Sequence, residues 1–309
     1  MSSIKVFSGT ASHYLAEKIA KYLGQPLGEA TITRFSDGEL SVSLNESVRG
    51  EDVFIIQSTC PPADNLMELL LMIDAARRAS AGTISVVTPY FGYARQDRKD
   101  KPRVPIAAKL VANLISSAKA DRIMACDFHA GQIQGFFDIP VDHLDGAWLF
   151  VPYIKSLKLE NILIASPDVG GVARARGFAK YLNCDLVVCD KHRKRANEIA
   201  SMQLIGDVTD ANVILVDDLI DTGGTMTKAA ELIMSKGAKS VRAICTHPVL
   251  SGNAYDNINN SVLTELVVTD TIPLKQESAK IKQLTVSELF ANAIMRTHNY
   301  QSISSLFIG

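Results

Sequence analysis

The 309-residue chain has a single tryptophan, and aromatic residues make up only 6% of it. Its five cysteines (Cys60, Cys126, Cys184, Cys189 and Cys245) are odd in number and include no C-x-x-C pair. That usage argues against a disulfide framework or a clustered zinc site, and points to reduced thiols in the cytoplasm. Neither charge is in excess: 32 Lys and Arg stand against 33 Asp and Glu, a net charge of −1. A global basic field for nucleic acid is therefore missing. The basic runs 95–103 and 191–195 also lack repeating aromatic partners for base stacking. The most apolar stretch, 66–73, is interrupted by Glu68 and soon followed by Asp74, Arg77 and Arg78. No run approaches the ~20 apolar residues of a membrane span. Met1 to Phe7 shows no basic segment leading into a long apolar core, so no secretory leader is expected.

What is present is a chain that is 47% hydrophobic, enough to bury a core, and long enough for roughly two domains. Short Val- and Ile-rich runs predict strands at Ile4–Phe7, Val53–Gln57, Ile84–Pro89, Arg122–Asp127, Ile162–Ser166, Leu186–Cys189, Val213–Asp218, Val241–Thr246 and Leu266–Thr269. Such runs suit strands buried on both faces. Helical patterns lie between them at Tyr14–Leu23, Leu66–Ala79, Ile106–Ala118, Ala173–Leu182, Thr225–Ser235 and Val286–His298. The alternation predicts an α/β fold with largely parallel sheets. The plan occurs twice, with a boundary expected within 142–153. The expected domains are 1–145 and 146–297, with the tail 298–309 joining the first. No Gly/Ser linker separates them, so the halves are expected to pack together.

The sharpest local signal is 213–225, Val-Ile-Leu-Val-Asp-Asp-Leu-Ile-Asp-Thr-Gly-Gly-Thr. Four apolar residues predict a buried strand, two carboxylates follow at its C-terminal end, and a glycine turn opens a helix. Ligands of open α/β sheets bind at that end of the strands. Glycines let backbone N–H groups approach an anion, and a helix N-terminus favours negative charge. There is no G-K-[ST], so this is not a Walker A loop. Asp221 and Thr225 could serve merely as helix caps. Two adjacent carboxylates beside an anion site are better explained by sugar hydroxyls, or by an Mg²⁺ that accompanies phosphate. The segment resembles the ribose-5-phosphate loop of the type I phosphoribosyltransferase fold.

Three more segments narrow the resemblance: Arg34-Phe35-Ser36-Asp37-Gly38-Glu39, the stretch from Asp127 through His129 to Pro140, and Asp190 to Asn197 with Lys191, His192, Arg193, Lys194 and Arg195. With the glycine loop, and in this order, they closely resemble the ribose-phosphate pyrophosphokinases of the phosphate-regulated class. The likeness runs from Phe7-Ser8-Gly9 to the tail at 302–307. It implies two type I phosphoribosyltransferase-like domains, each a mostly parallel sheet flanked by helices. The first would serve ATP binding and assembly, the second ribose 5-phosphate and a catalytic loop.

The resemblance implies transfer of the β,γ-diphosphoryl group of MgATP to the C1 hydroxyl of ribose 5-phosphate, leaving AMP. Such chemistry rests on positioning and charge neutralisation. Lys191 and Arg193 match the catalytic cations. Phe35, Asp37 and Glu39 match the adenine segment, and Arg95, Gln96 and Asp100 the other nucleotide segment. His129 and Asp168 match contacts to Mg²⁺–ATP, although histidine is an unusual ligand for Mg²⁺. Asp217, Asp218 and Asp221 would hold the sugar, and Thr222, Gly223, Gly224 and Thr225 its 5-phosphate. Ser47, Arg49, Arg103, Gln134, Asp142, Ser302 and Ser304 match a site where phosphate activates and ADP inhibits. The implied assembly is a hexamer built from dimers, with no nucleic-acid or membrane partner.

Three departures stand out: Phe128 where Leu or Ile is usual, Gly223 where Ala or Cys is common, and His192 in place of a charged residue. None removes a required group. A non-catalytic regulatory homologue is disfavoured because Lys191, Arg193, His129 and the Asp217–Asp218 pair are all present. A phosphoribosyltransferase is permitted by the loop alone, but disfavoured by the doubled plan and the Arg34–Glu39 segment.

Overall fold

The computed structural model describes residues 3–192 and 201–306. Two compact units form: one runs to Asp145 and takes in the segment from Val286 onward, the other is Gly146–Thr285.

The first unit contains β1 (Ile4–Ser8), α1 (His13–Leu23), β2 (Ala30–Arg34), β3 (Leu40–Leu44), β4 (Asp52–Ile56), α2 (Asp64–Arg78), β5 (Thr83–Thr88), α3 (Ala107–Ser117), β6 (Arg122–Cys126) and β7 (Val141–Leu144). Five strands form a parallel sheet in the order β1-β4-β5-β6-β7, so each new strand adds on the same side. All of β4 is buried, as expected for a strand covered on both faces. Strands β2 and β3 form a separate antiparallel hairpin.

The second unit contains α4 (Ala147–Ser156), β8 (Ile162–Ser166), α5 (Val172–Leu182), β9 (Leu186–His192), β10 (Ser201–Ile205), β11 (Asn212–Ile220), α6 (Gly224–Ser235), β12 (Ser240–Pro248), α7 (Ala254–Asn259), β13 (Leu266–Thr269) and β14 (Ile281–Leu284). Its seven strands run β10-β9-β8-β11-β12-β13-β14, with only the β9–β10 pair antiparallel. The chain leaves β8 to one side to make β9, then returns to make β11 on the other side. The order of winding reverses between β8 and β11, which opens a crevice beyond their C-terminal ends.

The last helix, α8 (Ser287–His298), corrects the expected border at 297: it belongs to the first unit. It buries Leu289, Phe290 and Ile294 and packs against α1. His298 Nδ1 also pairs with Asp52 Oδ2 at 2.7 Å, at the start of β4. The segment 142–153 is not a linker; it holds most of β7 and α4, and the unit border falls between them. No helix among the described residues is long and apolar enough to cross a membrane.

Candidate active site

Strand β11 is longer than expected, and its length shapes the site. It pairs with β8 only as far as Leu215 opposite Ala165, but with β12 as far as Ile220 opposite Pro248. Asp217 and Asp218 therefore lie within the strand, on the stretch that overhangs β8 at the crevice. Asp218 is buried while Asp217 is half-buried, and Asp217 Oδ1 folds back to accept from the Asp218 N–H at 2.9 Å. From α5, Arg174 Nη1 donates to Asp218 Oδ1 at 2.9 Å and stands 3.7 Å from Asp217 Oδ1. Burial, and then the adjoining Asp218, push the Asp217 carboxyl far above the usual carboxylate range against the pull of Arg174.

Beyond β11, Asp221 accepts a hydrogen bond from Ser251 Oγ. The backbone then turns through Thr222 and Gly223, and Gly223 has φ of 77° immediately before α6. That left-handed conformation suits glycine and is costly for other residues. No side chain caps the N-terminus of α6. Its first N–H groups, together with the Thr225 hydroxyl, therefore make a positive terminus suited to an anion.

Across the crevice, β8 ends at Ser166, and Asp168 sits in the turn before α5. Ser166 Oγ donates to the Asp168 carbonyl at 2.6 Å, and Gly171 N–H donates to Asp168 Oδ1 at 3.0 Å. A Cβ on Gly171 would stand 2.9 Å from Ser166 Oγ, so a larger residue there would displace the hydroxyl that holds the Asp168 carbonyl. Asp168, Asp217, Asp218, Asp221 and Thr222–Thr225 thus come to one end of one sheet. Among the described residues, no three His, Cys, Asp or Glu gather into a metal-binding group. Mg²⁺ needs only one or two carboxylates when phosphates complete its shell, and the oxygen donors here fit that use.

In the first unit, the candidate adenine segment is the tip of the β2–β3 hairpin. Phe35 N–H donates to the Glu39 carbonyl, Gly38 N–H to the Phe35 carbonyl, and Glu39 N–H to Asp37 Oδ1. Arg34 ties the tip down through Gly38 O at 2.9 Å and Asp64 at 2.7 Å. Phe35 is left 59% exposed, an aromatic face open to solvent. Arg95, Gln96 and Asp100 are exposed on the long segment between β5 and α3. His129 is exposed just beyond β6, and the preceding Phe128 is buried. Phe128 packs edge-on to Phe91 at 5.5 Å and stacks with Phe137 at 6.4 Å, so this departure is absorbed in an aromatic cluster.

Of the candidate regulatory residues, Ser47 and Arg49 are exposed on the β3–β4 loop, Arg103 on the segment between β5 and α3, and Gln134 on a short 3-10 helix after β6. Ser302 Oγ bonds Ser304 Oγ at 2.9 Å on the tail. Asp142 is different: it is buried in β7, with Arg122 Nη1 2.8 Å from each carboxylate oxygen. Lys191 contributes backbone to β9, opposite Met202. Its side chain, and the whole of Arg193, lie outside the described residues.

Sequence reasoning missed Arg174, Ser251 and Asn257, whose Nδ2 donates to the Thr222 carbonyl at 2.9 Å. The only signal was that Arg174 follows the Gly170-Gly171 turn by one helical turn, where a side chain can reach back over the strand end.

Comparison with known proteins agrees along the whole chain. The family described as the N-terminal domain of ribose phosphate pyrophosphokinase matches residues 4–118, and the phosphoribosyl synthetase-associated domain matches 192–308. The ribose-phosphate pyrophosphokinase of Campylobacter jejuni is 60% identical over 100% of both chains. That of Wolinella succinogenes is 59% identical, again over 100% of both. The crystal structure of phosphoribosylpyrophosphate synthetase from Mycobacterium smegmatis superposes with a TM-score of 0.92 at 39% identity, covering 97% of this chain and 100% of that one.

Proposed function

The chain belongs to the ribose-phosphate pyrophosphokinase family, and we propose that it passes the β,γ-diphosphoryl group of MgATP to the C1 hydroxyl of ribose 5-phosphate, leaving AMP. The observation that carries this reading is the grouping of carboxylates and an uncapped, glycine-opened helix at the reversal point of the second sheet. A phosphate and a polyhydroxylated sugar joined to it call for that combination.

In this assignment Thr222, Gly223, Gly224 and Thr225 hold the 5-phosphate through backbone N–H groups and hydroxyls. Asp217, Asp218 and Asp221 accept from the sugar hydroxyls and orient C1. Asp168, with His129, serves the cation that travels with ATP; when bound, Mg²⁺ neutralises charge on the phosphate oxygens. Phe35 stacks on the adenine ring and Asp37 and Glu39 accept from its amine. Arg95, Gln96 and Asp100 complete nucleotide binding. Lys191 and Arg193 meet the charge that builds on the diphosphoryl group during transfer.

Inorganic phosphate is the proposed activator, at Ser47, Arg49, Arg103, Gln134, Ser302 and Ser304. Asp142 commits its carboxylate to Arg122 and supports that region from within. The proposed working form is a hexamer built from dimers, in the cytoplasm.

The direct test is AMP formation by purified protein given Mg²⁺, ATP and ribose 5-phosphate in phosphate buffer. Ribose-5-phosphate-dependent AMP is expected; AMP no higher than in its absence contradicts the reading.

A further inference from the structure

We propose that the segment after β12 is the positioning element of the sugar-phosphate turn. In it, Asn257 directs the Gly223 N–H toward the 5-phosphate and Ser251 directs the Asp221 carboxylate toward the sugar. The proposal rests on the reading of that turn given above.

Three consecutive carbonyls of the turn are held by this segment. Leu250 N–H donates to Ile220 O at 3.0 Å, Ser251 N–H to Asp221 O at 3.1 Å, and Asn257 Nδ2 to Thr222 O at 2.9 Å. A trans peptide is planar, with its C=O and N–H pointing oppositely. Holding Asp221 O and Thr222 O on the side of this segment therefore sends the N–H groups of Thr222 and Gly223 to the other side. Those two donors lead into the uncapped N-terminus of α6. The row of donors that faces an anion is set by what is bound behind it.

The segment takes up a costly shape to do this. Leu250 is buried at 3% exposure and has φ of 45°, in the left-handed region that a bulky side chain seldom enters. That turn brings Ser251 back against Asp221, where its hydroxyl donates to Oδ1. A Cβ on Gly223 would stand 3.6 Å from Ile258 and 3.8 Å from Asn257, so α7 lies directly behind the turn.

Side chain and backbone can be separated by experiment. In Ser251→Ala the two backbone hydrogen bonds remain, and the carboxylate loses only the hydrogen bond from this hydroxyl. Asn257 is exposed, so Asn257→Ala removes the carbonyl's anchor without opening a core. Each variant is expected to raise the KM for ribose 5-phosphate roughly five- to tenfold, the scale of one hydrogen bond to a charged or oriented group. The KM for ATP should stay within about twofold and the unfolding midpoint should hardly move. Ser251→Thr keeps a hydroxyl and should restore most of the affinity. Calorimetric titration of the wild type and both variants with ribose 5-phosphate alone should show the same loss.

Unchanged ribose 5-phosphate affinity in both variants overturns the proposal. So does an equal loss for both substrates with a lowered midpoint, which marks a merely structural role. Absence of AMP formation in the wild type would instead strike at the proposed function, and the calorimetric arm would still decide this point.

Discussion

Arg174 Nη1 lies 2.9 Å from Asp218 Oδ1 and 3.7 Å from Asp217 Oδ1, so a single guanidinium on α5 serves both adjacent carboxylates of β11. Asp218 is 4% exposed at its side chain, and the guanidinium offsets the cost of burying it. The pair is thus held at the crevice as one positive and two acidic groups, and the whole cluster depends on a helix that starts at the Asp168 turn.

Replacing Arg174 with Ala should therefore harm both binding and stability. Breaking a buried ion pair costs about 3–5 kcal/mol, and a lower figure is expected because Arg174 is 21% exposed. Differential scanning calorimetry should show a drop of several degrees in Tm, and the KM for ribose 5-phosphate should rise. Arg174→Lys should recover part of both, since a lysine supplies charge without the fork. An alanine variant with wild-type Tm and KM would contradict the pairing.

Thr225→Ala should weaken ribose 5-phosphate binding and leave ATP binding alone. A hydrogen bond to a charged group contributes about 1.5–3 kcal/mol, which corresponds to about ten- to a hundredfold in KM. The fold should be unaffected, because Thr225 lies in the first turn of α6 and packs no core. Steady-state kinetics with each substrate varied in turn gives the answer.

Phe35→Ala is expected to do the opposite. Its ring is 59% exposed, so its removal should cost no stability. Loss of a base-stacking face is worth about 1–3 kcal/mol, so the KM for ATP should rise about tenfold while that for ribose 5-phosphate holds. An unchanged KM for ATP would detach the hairpin tip from nucleotide binding.

Asp142 yields a pH prediction. Burial raises its pKa, and the Arg122 ion pair offsets this only in part. The folded state therefore binds the proton more tightly than the unfolded state. The stability linked to this group is greatest in acid and declines as pH rises from the unfolded pKa toward the folded one. Arg122→Ala leaves a buried carboxylate without its cation, so it should lower the Tm at neutral pH more than Asp142→Asn does. Its deficit should shrink as the pH is lowered and Asp142 takes up a proton. A deficit that grows in acid would contradict this.

The contiguous part of the site was legible because its chemistry is written in consecutive residues: a buried strand, two acids, and the Thr222–Thr225 turn. The residues that orient it were not. Arg174 is 44 positions from Asp218, and Ser251 is 30 from Asp221. They converge only through the strand order, the packing of α5 on the sheet and that of α7 against α6. The apolar stripe of α8 predicts a helix, but cannot say which core it covers. Asp52, meeting His298 from 246 positions away, and the contact with α1 settle that. The β2–β3 hairpin is hard to read because, although Ala30–Arg34 and Leu40–Leu44 alternate apolar and polar residues, each run is only five residues long. The tip residues were found through resemblance.

The central claim is that a diphosphoryl group moves intact from ATP to the sugar. ATP labelled on its γ-phosphorus, incubated with the protein, Mg²⁺ and ribose 5-phosphate, tests this most directly. The account predicts unlabelled AMP and label in a sugar diphosphate, in equal amounts. Formation of ADP with label on a singly phosphorylated sugar product, or no nucleotide turnover that depends on the sugar, would contradict it.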